Sequence, residues 1–198
     1  MLLRYFLVIL LFAGNNLHSY GQKVESIPNF SLVDVISGKS IPFYSYKNSK
    51  AIVLIFTSNN CPYSKLYEQR IMDLANEYTS KNISFMLINS NNSSLSKDET
   101  VEKMVIKAKE SGFKIPYFAD KQLVAKKIFQ AEKTPEAFVV TDVKGALSVV
   151  YRGAIDDNPQ SPQEAEDNYI KMALNNLLVN KVSPVTFNRP TGCRIKTE

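Results

Sequence analysis

The hydrophobic pattern of the chain is clearest between residues 51 and 79. Residues Ala51–Phe56 form an unbroken apolar run rich in β-branched side chains, which predicts a strand buried on both faces. After a polar turn, the segment from Pro62 to Thr79 carries apolar side chains at helical spacing: Tyr63, Tyr67, Ile71, Leu74, Ala75 and Tyr78. The pattern predicts a strand followed directly by a helix. We expect Glu68 and Arg70 to lie on a solvated face of this helix; the alternative is that they tune the pKa of the cysteine at its start or bind a partner.

The rest of the chain alternates between strand-like and helix-like segments. A β-hairpin is predicted over residues 27–43, where apolar and polar positions alternate around a Ser-Gly turn. Four more strands are predicted from apolar runs: Ile83–Asn89, Pro116–Asp120, Ala137–Thr141 and Ala146–Arg152. Three more helices are predicted, two of them from capping patterns: Ser96–Glu99 before a helix that ends at Gly112, Ser161–Glu164 before a helix to about Val179, and a short helix near 123–129. An irregular tail follows.

Strands separated by helices predict an α/β fold. We expect a central mixed sheet with a parallel core, flanked by helices on both faces. The N-terminal β-hairpin and a helical insertion would be added to this sheet. No linker or repeat divides the sequence, so residues 22–198 are expected to form one domain with an irregular C-terminal tail.

Residues 1–21 have the layout of a secretory signal peptide. A short basic start is followed by the apolar stretch Tyr5–Ala13, and small residues occupy positions 19 and 21 before Gln22. The alternative is an uncleaved membrane anchor, but the stretch is well short of the roughly 20 residues that span a bilayer. We therefore expect an exported protein, periplasmic or secreted, with no stable membrane anchor after cleavage. Disulfides persist in such compartments.

Composition and charge exclude several classes of function. The formal net charge is +5, but the basic residues are spread along the chain without the clustered patch that nucleic-acid binding requires. The only histidine is His18, inside the predicted signal peptide, so the mature chain would lack histidine catalysis and most zinc and copper sites. We expect no nucleic-acid partner, no metal and no cofactor.

The two cysteines, Cys61 and Cys193, carry the candidate chemistry. Cys61 lies where the buried strand meets the helix, so unpaired backbone N–H groups and the positive end of the helix dipole are expected to favour its thiolate. Pro62 suits the first helical position because its missing N–H is not needed there. Cys61 is the candidate nucleophile; the alternatives are a buried free cysteine and a cysteine in a structural disulfide.

Several motifs in this order resemble the thioredoxin-like superfamily: the strand, the cysteine at the following helix start, and Thr134-Pro135 before a β-hairpin. The opening Ile27-Pro-Asn-Phe-Ser-Leu-Val-Asp is similar to that of redoxin domains of the alkyl hydroperoxide reductase/thiol-specific antioxidant (AhpC/TSA) type. Four further motifs look like an exported branch of those redoxins: Cys61-Pro-Tyr-Ser-Lys-Leu-Tyr-Glu-Gln-Arg70, Thr134-Pro-Glu, Tyr151-Arg-Gly-Ala-Ile-Asp-Asp157 and Gly192-Cys-Arg-Ile-Lys196. The resemblance covers residues 27–196.

The resemblance implies a thioredoxin-like fold with a cis-proline beside the reactive cysteine. The catalytic residues that it implies are Cys61, Cys193 and Pro135. The substrate-binding residues that it implies are Thr134, Ser64 and Pro62. Cys193 is a resolving cysteine that closes a disulfide with Cys61, a permanent staple of the tail, or an unpaired or intermolecular thiol. Ser64 either bonds the Cys61 thiolate or is a solvated serine.

Departures from the family patterns bear on the reaction. A thioredoxin has a second cysteine where this chain has Ser64. A peroxiredoxin has a proline where this chain has Leu54, and an arginine where this chain has Thr134-Pro135-Glu136. The first hypothesis is an exported thiol–disulfide oxidoreductase that acts on protein disulfides or small thiols. The alternatives are a peroxiredoxin-like thiol peroxidase that acts on peroxide, and a non-catalytic binding module.

Overall fold

The computed structural model describes residues 26–197, so the predicted signal peptide lies outside the described residues. Within this range the strands are β1 Ser31–Asp34, β2 Ser40–Pro42, β3 Ala51–Phe56, β4 Ile83–Asn89, β5 Tyr117–Ala119, β6 Lys133–Thr134, β7 Glu136–Val143, β8 Ala146–Gly153, β9 Phe187–Asn188 and β10 Cys193–Arg194. The α-helices are α1 Pro62–Thr79, α2 Val101–Glu110, α3 Val124–Phe129 and α4 Tyr169–Leu178. No helix in the described part of the chain has both the length and the apolar character needed to cross a membrane.

The strand predicted at residues 51–56 is β3, which lies inside an eight-stranded sheet with the order β2-β1-β5-β4-β3-β7-β8-β9. β3 runs parallel to β4, and β4 runs parallel to β5. β7 pairs antiparallel with both β3 and β8. The sheet is therefore mixed with a parallel core, and the predicted α/β architecture is confirmed.

Alternate side chains of β3 enter two separate layers of the core, as the pleat of a strand requires. The odd-numbered side chains pack in a cluster formed with α1, α2 and α4. The even-numbered side chains pack in a cluster with α3 and the N-terminal segment. In this cluster Phe129 contacts four other phenylalanine rings: Phe30, Phe43, Phe56 and Phe138. All six residues of β3 are at most 1% exposed, which explains their continuous apolar sequence.

The described part of the C-terminal tail is more ordered than the hydrophobic pattern predicted. β1 and β2 form the expected N-terminal hairpin and join the sheet through β5. The tail, which was expected to be irregular, contains β9, paired in parallel with β8, and β10, paired antiparallel with β6. That expectation is wrong for these four residues, because a two-residue strand depends on a distant partner rather than on its own periodicity.

Both predicted capping patterns are wrong. Ser96 makes no side-chain cap, residues 97–99 form a single 3₁₀ turn, and α2 begins after Thr100, whose Oγ1 accepts a hydrogen bond from the N–H of Lys103. Ser161 likewise precedes only a 3₁₀ turn. The last helix, α4, begins after Asn168, whose Oδ1 accepts from the N–H of Lys171. In each case a different polar residue near the helix supplies the acceptor that its first turn needs.

We expect Ile55→Ala to lower the free energy of unfolding by about 2–5 kcal/mol, because the truncated side chain leaves a cavity in a core that cannot fully collapse. Ile55 is 0% exposed. Urea denaturation of the disulfide-bonded protein measures the loss. The matched control is Ile106→Ala on α2, where the side chain is 46% exposed and the expected change is within about 0.5 kcal/mol. Equal losses in the two variants would contradict the central position of β3.

Candidate active site

Cys61 lies at the junction between the central strand and the first helix. It is the N-cap residue of α1, its carbonyl accepts the first helical hydrogen bond from the N–H of Lys65 at 3.1 Å, and it is 3% exposed. Pro62 follows at the first helical position and is exposed. The N–H groups of this first turn point toward the cysteine end of the helix, so the predicted placement of Cys61 at a helix start is confirmed.

Cys61 forms a disulfide with Cys193, with a Cα–Cα distance of 6.0 Å. The bond joins the start of α1 to β10 across 132 residues. Of the three alternatives for Cys193, the unpaired thiol is therefore wrong for this structure. The resolving cysteine and the permanent staple both require this bond, and they differ only in whether it opens during function.

The tail strand that carries Cys193 lies directly against the strand that precedes Pro135. In the antiparallel pairing of β10 with β6, Cys193 is opposite Thr134. A Cβ atom on Gly192 would lie 2.2 Å from the carbonyl oxygen of Thr134, so only glycine allows this approach. The N–H of Ile195 then donates to the carbonyl of Glu132 at 2.9 Å. The Ile195 side chain is 8% exposed and packs in the cluster that contains the even-numbered side chains of β3.

Lys196 is hydrogen-bonded to the loop after β4. The N–H of Lys196 donates to Oδ1 of Asn91 at 2.9 Å, and the carbonyl of Lys196 accepts from the N–H of Asn92 at 2.7 Å. The tail therefore has backbone hydrogen bonds on both sides of its buried isoleucine, in addition to the disulfide.

The peptide bond between Thr134 and Pro135 is cis, as the sequence predicted. The carbonyl oxygen of Thr134 lies 3.1 Å from Sγ of Cys61. Thr134 is fully buried, and its Oγ1 has no hydrogen-bond partner among the described residues. The fold therefore brings Cys61, Cys193, Thr134 and Pro135 together, while their roles in a reaction stay predictions.

Ser64 lies one turn into α1, at the position where a thioredoxin has its second cysteine. Its side chain is 0% exposed and its Oγ has no partner in the described part of the chain. The expectation of a solvated serine is therefore wrong. A hydrogen bond from this hydroxyl to a reduced Cys61 stays a prediction, since the sulfur is bonded to Cys193 here.

Glu99 is a residue of the site that sequence reasoning missed. The capping pattern assigned it to the start of α2, but its buried carboxylate turns toward the loop after β3 instead. It accepts hydrogen bonds from the hydroxyl of Ser58 at 2.5 Å, the N–H groups of Asn59 and Asn60 at 3.1 and 3.2 Å, and Nδ2 of Asn89 at 2.6 Å. Glu99 therefore binds the loop that leads into Cys61.

Two further side chains complete this polar network. The hydroxyl of Tyr117 donates to Oδ1 of Asn59 at 2.9 Å and accepts from Nδ2 of Asn89 at 3.0 Å. Burial raises the pKa of Tyr117, so it stays a neutral donor. Nζ of Lys121 donates to the backbone carbonyl of Glu99 at 2.6 Å, and burial lowers the pKa of Lys121. The loop before Cys61 is thus held by a network with a buried centre, Glu99 and Tyr117, and an exposed rim that includes Lys121.

A second polar cluster lies next to a cavity of about 260 Å³ whose lining includes Pro135 and Thr191. The hydroxyl of Tyr67 donates to Oδ1 of Asp156 at 2.5 Å, and Nη1 of Arg70 lies 2.8 Å from Oδ2. Burial and this hydrogen bond raise the pKa of Tyr67. The Arg70 side chain is only 10% exposed, so its assignment to a solvated helix face is wrong. Glu68 is likewise paired, with Lys107 at 2.7 Å.

Within residues 26–197, no three His, Cys, Asp or Glu side chains are grouped as metal ligands.

Comparison with solved structures supports the fold. A conserved protein from Geobacillus kaustophilus is 30% identical, with a TM-score of 0.80 over 88% of this chain and 92% of that one. Peroxidoxin BcpB from Mycobacterium tuberculosis is 17% identical, with a TM-score of 0.55 over 79% and 93%. A thiol-disulfide oxidoreductase from Bacteroides fragilis is 16% identical, with a TM-score of 0.52 over 65% and 89%. No curated protein matches the sequence.

Fold and cysteine placement together define a thioredoxin-like redoxin. Within that class the chain belongs to the AhpC/TSA family, which its sequence matches over residues 24–167. The resemblance that the sequence motifs indicated is therefore confirmed. A redoxin of this kind is related to thiol–disulfide oxidoreductases and peroxiredoxins, and the Cys61–Cys193 disulfide fits thiol redox chemistry.

We expect Gly192→Ala to weaken the Cys61–Cys193 disulfide, because the new Cβ would collide with the carbonyl of Thr134 and push β10 away from β6. The equilibrium constant for disulfide formation against dithiothreitol should fall at least about tenfold, since a backbone collision of this kind costs more than one lost hydrogen bond. Alkylation of free thiols followed by mass spectrometry measures it. Lys196→Ala, which removes an exposed tail side chain, is the control. An unchanged equilibrium constant in Gly192→Ala would contradict the close packing of β10 against Thr134.

Proposed function

We propose that the protein is a thiol–disulfide oxidoreductase in which Cys61 is the nucleophile and Cys193 is the resolving cysteine. The observation that carries this proposal is the position of the Cys61–Cys193 disulfide. The disulfide joins the N-terminus of α1 to β10. In β10, Cys193 lies opposite Thr134, the residue before the cis-proline Pro135. Family membership supports the same class of chemistry.

The proposed reaction starts from the reduced protein. The Cys61 thiolate attacks one sulfur of a substrate disulfide, and the substrate's other sulfur leaves as a thiolate. The Cys193 thiolate then attacks Sγ of Cys61, which releases the second substrate thiolate and forms the Cys61–Cys193 bond. The substrate disulfide gains two electrons and the protein's two thiols lose them. An external dithiol that reduces the protein disulfide returns the protein to its starting state.

The environment of Cys61 suits the first step. The N-terminal end of α1 stabilises negative charge at the sulfur. The carbonyl of Thr134, 3.1 Å from Sγ, would accept the S–H of the neutral thiol and so opposes ionisation, which leaves the helix N-terminus as the feature that favours the thiolate. Because β10 covers the edge of β6 beside Thr134, the tail must move aside before an extended substrate can lie there.

The competing interpretation is a permanent staple that leaves the fold as a binding module. Closing a loop of 132 residues would stabilise the folded state by about 5 kcal/mol in the chain-entropy model. Two features favour exchange over a staple. Cys193 is partly exposed, so a reductant can reach its sulfur, and the paired strands are only two residues long, so opening the bond disrupts little regular structure.

Peroxide reduction is the weaker alternative on this scaffold. Leu54 takes the place of the peroxiredoxin proline, and the region where a peroxiredoxin has an arginine is Thr134-Pro135-Glu136 here. The Glu136 carboxylate is paired with Arg152 at 3.2 Å. The backbone N–H of Cys61 donates to Ser58 at 3.1 Å, so it is already occupied and is not free to bind a peroxide oxygen.

We expect Cys61→Ser to abolish reduction of a synthetic peptide disulfide by the reduced protein, because the attacking sulfur is lost. Cys193→Ser should still attack and then accumulate a mixed disulfide between Cys61 and the peptide, since no second thiol resolves it. Intact-mass spectrometry of acid-quenched reactions measures both outcomes. Lys65→Ala, an exposed change in the first turn of α1, is the control.

Three results would contradict the proposal. A rate in Cys61→Ser equal to the wild-type rate would exclude Cys61 as the nucleophile. Resistance of the wild-type disulfide to mild reductant would favour the staple. Rapid peroxide consumption with a thiol donor and a Cys61 sulfenic acid, without peptide reduction, would favour the peroxidase.

We also propose that the protein acts after export, which would place Cys61 and Cys193 where disulfide exchange is physiological. The supporting observation is the arrangement of residues 1–21 in the sequence. In a bacterial host, the mature chain should appear in the periplasm or medium, and its mass should be that of a chain that begins at Gln22. Leu10→Arg, in the apolar stretch, should block export. An intact N-terminus in the cytoplasmic fraction of the wild type would refute this proposal.

A further inference from the structure

Glu99 is a buried carboxylate without a direct ion pair; Lys121 attracts it from a distance but bonds its backbone carbonyl. It is 2% exposed, and no Lys or Arg nitrogen of residues 26–197 lies within 4.0 Å of its carboxylate. A buried charge without an ion pair is costly unless hydrogen bonds satisfy it. Four neutral donors do so here: the Ser58 hydroxyl, the N–H groups of Asn59 and Asn60, and the amide of Asn89. Three of these four donors belong to the loop that ends at Cys61.

Ser58 connects the carboxylate to the cysteine. Its hydroxyl donates to Oε1 of Glu99 at 2.5 Å, and its oxygen accepts from the N–H groups of Asn60 at 3.2 Å and Cys61 at 3.1 Å. A hydroxyl has one hydrogen to donate and two lone pairs to accept with, so Ser58 is fully used. Because the carboxylate takes the hydrogen, the lone pairs of Ser58 are turned toward the backbone of Cys61.

Only a group that accepts at both ends fits this arrangement. Oε1 of Glu99 faces Ser58 and Asn60, and Oε2 faces the N–H of Asn59 and Nδ2 of Asn89. A glutamine has the same shape, but in either orientation its amide NH₂ would face donors. The loop would then have to rearrange or leave a buried donor unsatisfied.

We propose that Glu99 is a positioning residue that holds Cys61, through Ser58, in the place where Cys193 can bond it. The carboxylate fixes the hydroxyl, and the hydroxyl fixes the cysteine backbone at the start of α1. Cys61 therefore need not be ordered again each time the disulfide forms, which raises the effective concentration of one thiol at the other. The proposal rests on the proposed function only for its catalytic consequence. The redox equilibrium of the disulfide itself can be measured whether or not the protein is an enzyme.

The test is the equilibrium constant for disulfide formation in buffers of reduced and oxidised dithiothreitol. We expect Glu99→Gln and Ser58→Ala each to lower this constant about tenfold, the size of effect that one or two disrupted buried hydrogen bonds have. The double variant should show no further loss, because both changes break the same connection. Alkylation and intact-mass spectrometry of the full chain report the oxidised fraction.

A merely structural role would not change this constant, since destabilising the oxidised and reduced folds equally leaves their ratio the same. The matched control is therefore Tyr78→Phe, which removes a buried hydroxyl's 2.7 Å hydrogen bond to Asn175 toward the far end of α1. The control should lower the unfolding midpoint without moving the redox equilibrium. Circular dichroism of each variant in both redox states checks that the fold is kept.

Several results would overturn the inference. An unchanged constant in folded Glu99→Gln would do so, and so would additive losses in the double variant, because Glu99 would then act by a route other than Ser58. If Glu99→Gln fails to fold, Ser58→Ala decides alone: a lowered constant supports the inference and an unchanged one refutes it. Peptide-disulfide reduction by the wild type is measured in parallel, so failure of the proposed function is seen separately from failure of this inference.

Discussion

The pairing of Cys193 with Thr134 is the contact on which the rest of the site depends. It is a two-residue strand pair, too short to be stable by itself, and it persists because of the disulfide, the buried Ile195 and the backbone hydrogen bonds around them. Seating of the tail and formation of the disulfide are therefore thermodynamically linked. Whatever loosens the tail favours the dithiol, and reduction in turn loosens the tail by the same free energy.

The buried carboxylates of the described residues are satisfied either by an arginine or by neutral hydrogen-bond donors. They are Glu99, Asp120, Glu136 and Asp156. Asp156 is paired with Arg70 and Glu136 with Arg152. Asp120 and Glu99 instead accept from neutral donors: Asp120 from the Ser90 hydroxyl and two N–H groups in the first turn of α3, and Glu99 from the loop after β3 and from Asn89. Satisfied polar networks of this kind fix loop geometry. The loops that carry Cys61 and Pro135 are consequently ordered, and the tail is the element held mainly by its own few contacts.

The sequence predicted what depends on local periodicity and missed what depends on distant partners. The predicted bounds of β3 and α1 match the structure. A strand buried on both faces and an amphipathic helix are each recognisable from the pattern of neighbouring side chains. The capping pattern at Ser96–Glu99 failed because the Glu99 carboxylate has stronger partners about 40 residues away, in the loop after β3. β10 was missed because its partner, β6, is far along the chain. The position of Cys61 was predictable; the residues that hold it were not.

Replacement of the second helix cysteine by Ser64 changes where resolution can occur. With two cysteines in one helical turn, the resolving thiol is carried by the same rigid element as the nucleophile. Here the thiol that pairs with Cys61 is on a separate strand, held by Gly192 against Thr134. Under the proposed function, resolution requires that this strand return to its place, and substrate access requires that it leave. The exchange rate would then depend on tail movement as well as on thiol reactivity, and a Cys61 positioned by Glu99 and Ser58, as we propose, would leave the tail as the partner that moves.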